Sequence, residues 1–424
     1  MTRGDVGDDG DPTPARFDVA VIGATLPGLI AALRLRAAGY STIVLEPEPS
    51  IGGACGTFVE DGFVFDRGCN DFSTNLAREL DELGVDVAFE RKHTRIYFGE
   101  DAVDLPPSAA LVARLVLRVP LLARRPAMSR VGDLEALSKL GADASREHEA
   151  NTASTSPACG PQHLIDRTLD RFCALGGRAV VRCGAIRHRL ASSAHELRLT
   201  SSNETVLAST LLVHESAEET PQRFSTLLFA TRGDAPWPAE VETLGCFMPD
   251  LRDQLLASGE IVESDVFSFH VIRTNLGEPE GAPKTFVGFV ARRSPRPLTE
   301  DERRDVLVFA RRALDRVVPG FADALLYAKL LSPDEALARA RFAALRSAEG
   351  VWWSQLASDP ATSATTFSLG AMALPPASCA SNAVFVGRRA AERVAAALEQ
   401  RPDLAASRRR AANDNGDDGS MRRR

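Results

Sequence analysis

The residues with the clearest chemistry in this sequence are a glycine-rich turn and an acid that follows it. Residues 23–28 read Gly-Ala-Thr-Leu-Pro-Gly, and Glu46 lies 23 residues beyond Gly23. Backbone N–H groups in such a turn, and the N-terminus of a helix that follows it, can face a pyrophosphate. An acid at this distance can bind the hydroxyl pair of a ribose. The spacing predicts a dinucleotide site that includes Gly23, Gly28 and Glu46.

A strand, a helix and a second strand must position these residues. An apolar run at 19–22 leads into the turn, an Ala/Leu-rich helical pattern follows it, and a second apolar run at 42–45 leads to Glu46. This order predicts a β-α-β unit with a phosphate-binding turn. Thr25 stands where glycine is usual, so it narrows the approach of a pyrophosphate, although its hydroxyl can bond a phosphate oxygen. The alternative is a unit that keeps this fold and has lost the ligand.

A second glycine-rich segment follows the acid. Residues 51–58 read Ile-Gly-Gly-Ala-Cys-Gly-Thr-Phe, and Phe-Asp-Arg-Gly follows at 65–68. A Gly-Gly pair lets the backbone lie against a diphosphate and a flavin edge without Cβ clashes. Together with the turn and the acid, this arrangement resembles the FAD-dependent oxidoreductases of the phytoene desaturase and flavin amine oxidase superfamily. The alternative for residues 51–58 is a plain glycine turn.

The resemblance implies FAD as the cofactor and assigns further residues to it. In that superfamily the double-glycine segment wraps the cofactor, which here implies contacts from Gly52, Gly53 and Thr57. A strand that follows a helix and a Gly-Gly pair holds the adenine through its backbone, which implies a contact near Val180 or Val181. The same apolar residues are expected in any strand, so this assignment has a purely structural alternative.

The sequence also departs from the superfamily pattern. Many of these enzymes carry an arginine after the double glycine, where this chain has Ala54. Near the C-terminus, relatives have a strand that ends in glycine, an acid that binds the ribityl chain, a glycine-rich loop and a helix. Here an apolar run at 383–386 ends at Gly387 and passes directly to Arg388. We therefore assign Gly387 to the cofactor and predict that the acid and the loop are missing.

The resemblance implies an α/β fold, in which an FAD/NAD(P)-binding Rossmann-like domain in discontinuous pieces carries an inserted α+β substrate domain. The cofactor domain is assigned residues 17–93, 161–220 and 347–400, the substrate domain residues 94–160 and 221–346, and two disordered tails residues 1–16 and 401–424.

The substrate domain is predicted to contain an antiparallel sheet with helices on one side. Its elements are expected to be a hairpin at 94–104, strands at 224–230, 266–274 and 285–292, and a helix at 299–318 with Thr299 as N-cap. Such a sheet can wall an apolar tunnel. Four phenylalanines can line that tunnel or belong to the core: Phe267, Phe269, Phe286 and Phe289. No catalytic residue is assigned, and His270 is the one histidine worth testing as a base in a cleft.

Charge and composition exclude several other classes of function. The net charge is −7, which gives no general basis for binding nucleic acid. The seven cysteines form no CxxC pair and the histidines are dispersed, so neither a metal site nor a disulfide framework is predicted. These features are typical of a cytoplasmic protein. Residues 105–131 hold five arginines and no acid, so they predict either peripheral contact with an anionic membrane or an ordinary solvated helix.

The function predicted from these features is that of an FAD-dependent oxidoreductase. Its substrate is expected to be small and apolar, of an isoprenoid or lipid-like kind, with hydride transfer to the flavin. The first alternative is a homologue that binds FAD weakly or not at all and acts through protein contacts, because Thr25, Ala54 and the shortened C-terminal motif each weaken a flavin site. An amine oxidase is the second alternative. The sequence does not assign an oligomeric state.

Overall fold

The computed structural model describes these residues: 14–67, 72–91, 93–99, 101–105, 154–191, 194–213, 225–238, 240–262, 268–274, 279, 281–290, 297–340, 353–369 and 381–400. The tail at 401–424, Phe267, and the basic segment beyond Leu105 lie outside these ranges. The predicted N-terminal tail is too long by two residues, because the first strand already begins at Ala15.

The strands are β1 Ala15–Ile22, β2 Thr42–Glu46, β3 Thr57–Glu60, β4 Phe63–Asp66, β5 Phe72–Ser73, β6 Phe89–Arg91, β7 Thr94–Phe98, β8 Asp101–Leu105, β9 Ser154–Pro157, β10 Arg178–Val181, β11 Ile186–Ala191, β12 Ala194–Leu199, β13 Thr205–Val213, β14 Ser225–Thr231, β15 Thr243–Phe247, β16 Ser268–Arg273, β17 Lys284–Val290, β18 Leu325–Leu331 and β19 Thr366–Ser368. The helices are α1 Leu26–Ala37, α2 Thr74–Glu82, α3 Gly160–Ala174, α4 Pro249–Ser258, α5 Glu300–Val317, α6 Phe321–Ala324, α7 Pro333–Ala340, α8 Trp353–Ser358 and α9 Ser381–Glu399.

A largely parallel sheet carries the predicted β-α-β unit. Its strand order is β10-β2-β1-β13, and all three of these pairings are parallel. The first half of β13 pairs antiparallel with β12, and its second half pairs parallel with β19. Strands β1 and β2 are apolar runs because helices cover them, as parallel sheets require. Their carboxyl ends therefore lie side by side, with the glycine turn beside Glu46.

Helix α1 is buried on nearly all sides, which explains why its sequence is apolar rather than amphipathic. Leu26, Leu29, Ile30 and Leu33 are each no more than 1% exposed. One face of α1 packs on the sheet, and α9, α2 and α3 contribute to the same core. The tight packing fixes the N-terminus of α1 at the edge of the sheet where the glycine turn lies.

A second, mixed sheet has the order β18-β14-β17-β16-β15-β7-β8. All of its pairings are antiparallel except that between β7 and β15. The predicted hairpin at 94–104 is confirmed, with Gly99 in the turn at a φ of 66°. The predicted helix at 299–318 is also confirmed, and Thr299 and Glu302 form a reciprocal capping box at its start.

The two faces of this second sheet differ. Phe269 and Phe286 belong to a core that includes residues of α4 and α5. Phe289 points to the opposite face, where the hairpin of β3 and β4 packs through Phe65. The strands of the first sheet, apart from the first two residues of β1, all come from the segments assigned to the cofactor domain, and those of the second sheet from the segments assigned to the substrate domain. The division into domains itself stays a prediction.

The hairpin of β3 and β4 is tied to the second sheet by ion pairs as well as by aromatic packing. Glu60 accepts hydrogen bonds from Lys329 on β18 and Arg339 on α7. These cations lower the pKa of Glu60 to about 2. The clamp positions the end of β4, and with it Arg67, beside the glycine-rich segments.

The apolar run at 383–386 and Gly387, which the sequence analysis compared with the glycine-ending strand of relatives, lie inside α9 and form no strand. Gly387 faces α1, and a Cβ at this position would lie 2.7 Å from the carbonyl oxygen of Pro27. The strand that precedes the C-terminal helix is β19, much earlier in the sequence. Residues 370–380, between β19 and α9, lie outside the described ranges, so the predicted absence of the glycine-rich loop stays a prediction.

Candidate active site

The glycine turn is built by close backbone contacts. Gly23 has a φ of 98°, and its N–H donates to the carbonyl oxygen of Leu45 at 2.8 Å. A Cβ at Gly28 would lie 2.8 Å from the carbonyl oxygen of Gly23. The first glycine therefore supplies a left-handed conformation, and the last lets the helix approach the strand.

Thr25 acts first as the N-cap of α1. Its hydroxyl oxygen accepts from the N–H of Gly28 at 3.3 Å, and the residue is only 3% exposed. The helix N-terminus is thus partly satisfied by the chain itself. The hydroxyl of Thr25 can still donate its own hydrogen. The side chain of Thr25 therefore leaves less space for a phosphate than glycine would, but it also offers the phosphate a hydrogen-bond donor.

Glu46 ends β2 as a buried carboxylate beside the turn. Its Oε2 accepts from the N–H of Ala24 at 2.8 Å, and its Oε1 accepts from the N–H of Glu48 at 2.9 Å. Burial raises the pKa of Glu46 to about 7, and the two backbone hydrogen bonds oppose that rise. Each carboxylate oxygen retains acceptor capacity, which a pair of ribose hydroxyls can use.

The double glycine docks directly on the turn. Gly52 donates its N–H to the carbonyl oxygen of Ala24 at 2.8 Å. Gly52 and Gly53 have φ values of 100° and 59°, and a Cβ at Gly52 would lie 2.9 Å from Cγ1 of Ile165. Side chains at these positions would therefore be strained, and the first of them would also meet α3.

Val181 and Thr57 have different surroundings. Val181 is paired with Glu46 in the register of β10 on β2, and it is 42% exposed at the edge of the sheet. Thr57 begins β3, and its N–H donates to Oε1 of Gln162 at 3.2 Å. Val181 thus lies beside Glu46, and its contact with the adenine stays a prediction, whereas the N–H of Thr57 already has a partner within the chain.

Arg67 is a site residue that the sequence analysis missed. Its Nη1 lies 3.5 Å from the carbonyl oxygen of Gly53, and its Nη2 donates to Oγ of Ser50. Burial lowers its pKa, while the carboxylates of Glu46 and Glu48 favour the charged form. The only signal in the sequence was an arginine in the Phe-Asp-Arg-Gly segment, and its contact with Gly53 depends on how the β3–β4 hairpin folds back.

Gly387 occupies a different place from that predicted. It lies within α9 at the crossing with α1, where its missing side chain allows the close approach to Pro27 described above. The residue supports the helix that begins at the glycine turn. The predicted contact between Gly387 and the cofactor stays a prediction, because Gly387 lies in a helix and not at the end of a strand.

The residues present fit the adenosine diphosphate half of FAD. A turn with a buried acid, two glycines with positive φ, and a guanidinium whose buried Nε has no hydrogen-bond partner among the described residues lie close together. The ribityl end fits less well. The sequence holds no Asp or Glu between Asp359 and Glu392, so the connection from β19 to α9 supplies no acid.

A cleft of about 210 Å³ lies on the second sheet. It is lined by Ile96, Gly245, Cys246, Phe247, Ser268, Phe269, His270 and Phe289. The imidazole of His270 lies 5.1 Å from the ring of Phe289, measured between centroids. Phe289 also lines a small cavity of about 20 Å³ together with Asp66 and Arg67.

Asp66, which ends β4, is buried beside that small cavity. Burial raises its pKa to about 7, and the nearby carboxylate of Glu242 adds to the rise. Two carboxyl groups with raised pKa values are therefore near Arg67: Glu46 interacts with its charge, and Asp66 lines the same small cavity. Such clustering is typical of functional sites.

Part of the chain is similar to known flavin-dependent oxidoreductases. The family model described as flavin containing amine oxidoreductase matches residues 26–195. All-trans-retinol 13,14-reductase of Macaca fascicularis is 49% identical over 55 residues, which are 13% of this chain and 9% of that protein. The 4,4'-diapophytoene desaturase of Staphylococcus haemolyticus is 44% identical over 50 residues, which are 12% of this chain and 10% of that enzyme. The matched segments thus span only about a tenth of these relatives.

Solved structures share the fold over most of the chain. Cyclohexylamine oxidase from Brevibacterium oxydans is 15% identical with a TM-score of 0.50, covering 90% of this chain and 99% of that one. A Pyrococcus furiosus protein is 14% identical with a TM-score of 0.51, covering 89% and 97%. Among the described residues, no helix is long and apolar enough to cross a membrane. The chain thus has an FAD-binding Rossmann-like fold that these solved structures share, and its residues 26–195 resemble the flavin containing amine oxidoreductases.

Proposed function

We propose that this chain is an FAD-dependent oxidoreductase that acts on an apolar substrate bound in the cleft of the second sheet. The observation that carries the proposal is the turn at 23–28 with Glu46 buried against it, a geometry that supports binding of a ribose and a diphosphate. The bound flavin would supply the redox chemistry. The chain's own residues bind it, orient it and exclude water.

The cofactor-binding roles follow from the contacts. Glu46 accepts from the ribose hydroxyls, and the turn from Gly23 to Gly28 faces the diphosphate. Gly52 and Gly53 allow the cofactor to lie against the backbone, and Val181 lies beside the adenosine end. These roles use groups that are already held rigidly by strands β1, β2 and β10, which favours a preorganised site.

The composition of the cleft supports an apolar substrate with one polar group. Ile96, Phe247 and Phe289 contribute apolar surface, while Ser268 and His270 provide the polar side chains. Cleft binding sites are typically lined in this way, with few polar groups that fix orientation. His270 is placed to hold or accept a proton at a substrate hydroxyl, carbonyl or amine. Isoprenoid and lipid-like compounds fit this description, and amines with an apolar body are the second class.

The test is anaerobic reduction of the FAD-loaded protein by candidate substrates, followed by the visible spectrum of the flavin. Apolar compounds that can be dehydrogenated are expected to bleach the oxidised flavin, because they give it a hydride, and Gly245→Val should slow that bleaching because the added side chain enters the cleft. Val262→Ala, at an exposed position away from the cleft lining, is the control and should bleach at the rate of the wild type. Bleaching by amines alone would support the amine oxidase, and the absence of bleaching by either class would contradict the proposal.

A specific observation favours a second candidate, a homologue that retains flavin weakly and acts through protein contacts. The N–H of Gly28 is already capped by Thr25, and no acid follows β19 in the sequence before Glu392. Both features lower the affinity expected for FAD. A chain that stays colourless after addition of FAD, while remaining folded, would establish this candidate over the enzyme.

A further inference from the structure

The double-glycine segment lacks the cation that many members of the superfamily carry, because Ala54 stands in that position. Arg67 brings a guanidinium to the same segment from β4. Its backbone N–H donates to the carbonyl oxygen of Gly56 at 2.9 Å, which fixes the residue against the glycine-rich segment. Its side chain reaches Gly53 and Ser50. A positive charge is therefore present beside the double glycine, although the sequence places it 13 residues after Ala54.

The guanidinium of Arg67 is incompletely satisfied. Its Nε is buried and has no hydrogen-bond partner among the residues that the structure describes. A buried donor without a partner is costly, so such groups in native proteins usually have a ligand, a water or a functional role. The contact of Nη1 with Gly53 is long, at 3.5 Å. Two edges of the planar group thus have capacity for a strong acceptor.

A phosphate oxygen is the acceptor that best matches this environment. Guanidinium groups bind phosphates through paired N–H groups in a fixed geometry. The neighbouring carboxylates of Glu46 and Glu48 favour the charged form of Arg67, but Glu46 accepts its hydrogen bonds from the backbone N–H groups of Ala24 and Glu48. The guanidinium of Arg67 therefore lies near the carboxylate of Glu46 without a hydrogen bond to it among the described contacts.

We propose that Arg67 binds the diphosphate of the cofactor and replaces the missing cation at position 54. The assignment rests on the proposed function, since it concerns the same FAD site. Arg67 also lines the small cavity whose wall includes Phe289, a residue that lines the cleft as well. A purely structural role, in which Arg67 only clamps Ser50 to β4, is the competing explanation.

The experiment measures binding of three probes to the full chain, freed of any bound flavin, by titration calorimetry. The probes are ADP, adenosine and FAD, and the variants are Arg67→Gln, Arg67→Lys and Ser50→Ala. Loss of hydrogen bonds to a charged group predicts that Arg67→Gln weakens ADP and FAD by about 10- to 100-fold and leaves adenosine within about 2-fold. Arg67→Lys keeps the positive charge, so its affinity for ADP and FAD should fall less than that of Arg67→Gln. Ser50→Ala removes the clamp alone and should bind ADP as the wild type does.

Ionic strength supplies a readout that a structural clamp would not change. Added salt should weaken ADP binding to the wild type more than to Arg67→Gln, because one charge contact is gone in the variant. Arg189→Gln is the charge-matched control, since Arg189 is an exposed residue on β11 paired with Glu196. It should leave both ADP affinity and its salt dependence unchanged.

The outcomes separate this inference from the proposed function. Equal ADP and FAD affinities for the wild type and Arg67→Gln would overturn the role of Arg67 and leave the enzyme proposal standing. Equal losses for ADP and adenosine would also overturn it, because they would indicate a structural clamp. A wild type that binds ADP through Arg67 but takes up no FAD would support the inference and contradict the proposed function. A wild type that binds none of the three probes would overturn both.

Discussion

The buried carboxylate of Glu46 makes the stability of the flavin-free protein depend on pH in a defined direction. Its pKa is about 7 in the folded chain, against 4.5 for an ordinary glutamate. The folded state therefore binds more protons than the unfolded state between these values, so this group lowers stability as pH rises through the window. A shift of this size is worth about 3 kcal/mol at pH 8, and about 2–3 kcal/mol of it develops between pH 5 and pH 8.

Replacing Glu46 with glutamine removes the titration while keeping the shape of the side chain. The absolute stability of Glu46→Gln will also reflect its altered hydrogen bonds to Ala24 and Glu48. The comparison therefore uses the change with pH rather than the value at one pH. The free energy of unfolding of the wild type should fall by about 2–3 kcal/mol more than that of the variant between pH 5 and pH 8. The contribution of Asp66 has the same sign, but it is present in both proteins and cancels.

Urea unfolding of the flavin-free chain at a series of pH values measures this difference, with the slope checked at each pH. Glu399→Gln, which removes an exposed carboxylate of α9, should show the same pH dependence as the wild type. Binding of FAD should abolish much of the effect, since ribose hydroxyls stabilise the ionised form of Glu46. Identical pH profiles for the wild type and Glu46→Gln would show that Glu46 does not titrate between pH 5 and pH 8. They would contradict the description of Glu46 as a buried carboxyl group with a raised pKa.

Three further substitutions test the surrounding structure by thermal or urea unfolding. Glu60→Gln should cost about 1–2 kcal/mol at pH 7, and the wild-type contribution should disappear as pH falls from about 4.5 toward 2. Unchanged stability would refute the clamp with Arg339. Gly387→Ala should destabilise by about 1–3 kcal/mol because the added Cβ meets a backbone oxygen; a gain, as expected from helix propensity alone, would contradict the close crossing of α9 and α1. His195→Leu should cost about 1–3 kcal/mol, because His195 is fully buried and its Nε2 bonds Oγ1 of Thr365 at 2.8 Å. Wild-type stability in this variant would show that the bond contributes nothing.

Local sequence patterns were sufficient for the elements that form the cofactor region. The apolar runs at 19–22 and 42–45 became adjacent parallel strands, and the glycine turn and Glu46 met at their ends. The pattern works because a β-α-β unit has one handedness and short connections, so spacing along the chain determines proximity. The capping box at Thr299 is a similar case, since all of its hydrogen bonds lie within one helical turn.

The sequence failed where an apolar run had two structural solutions. Residues 383–386 are compatible with a buried strand or with one side of a buried helix, and short runs do not separate the two. Tertiary packing against α1 decided for the helix, and Gly387 serves that packing. The strand that does join the sheet, β19, is only three residues long and lacks a strong apolar pattern.

Arg67 was missed for a different physical reason. Its contact with Gly53 joins residues 14 positions apart, and it depends on the hairpin of β3 and β4 folding back along the glycine-rich segment. The clamp from Glu60 to Lys329 and Arg339 that helps to hold the hairpin joins residues that are still farther apart. Spacing rules for motifs carry no information about such contacts.

The most direct test of the account is the flavin content of the purified chain, measured from its visible spectrum before and after addition of FAD and removal of the excess. The account predicts near-stoichiometric FAD in the wild type and a large loss in Glu46→Ala, with Glu399→Ala retaining the wild-type content. A folded wild-type protein that stays colourless, or a Glu46→Ala variant that retains FAD as tightly as the wild type, would contradict the assignment of the turn and its acid to the cofactor.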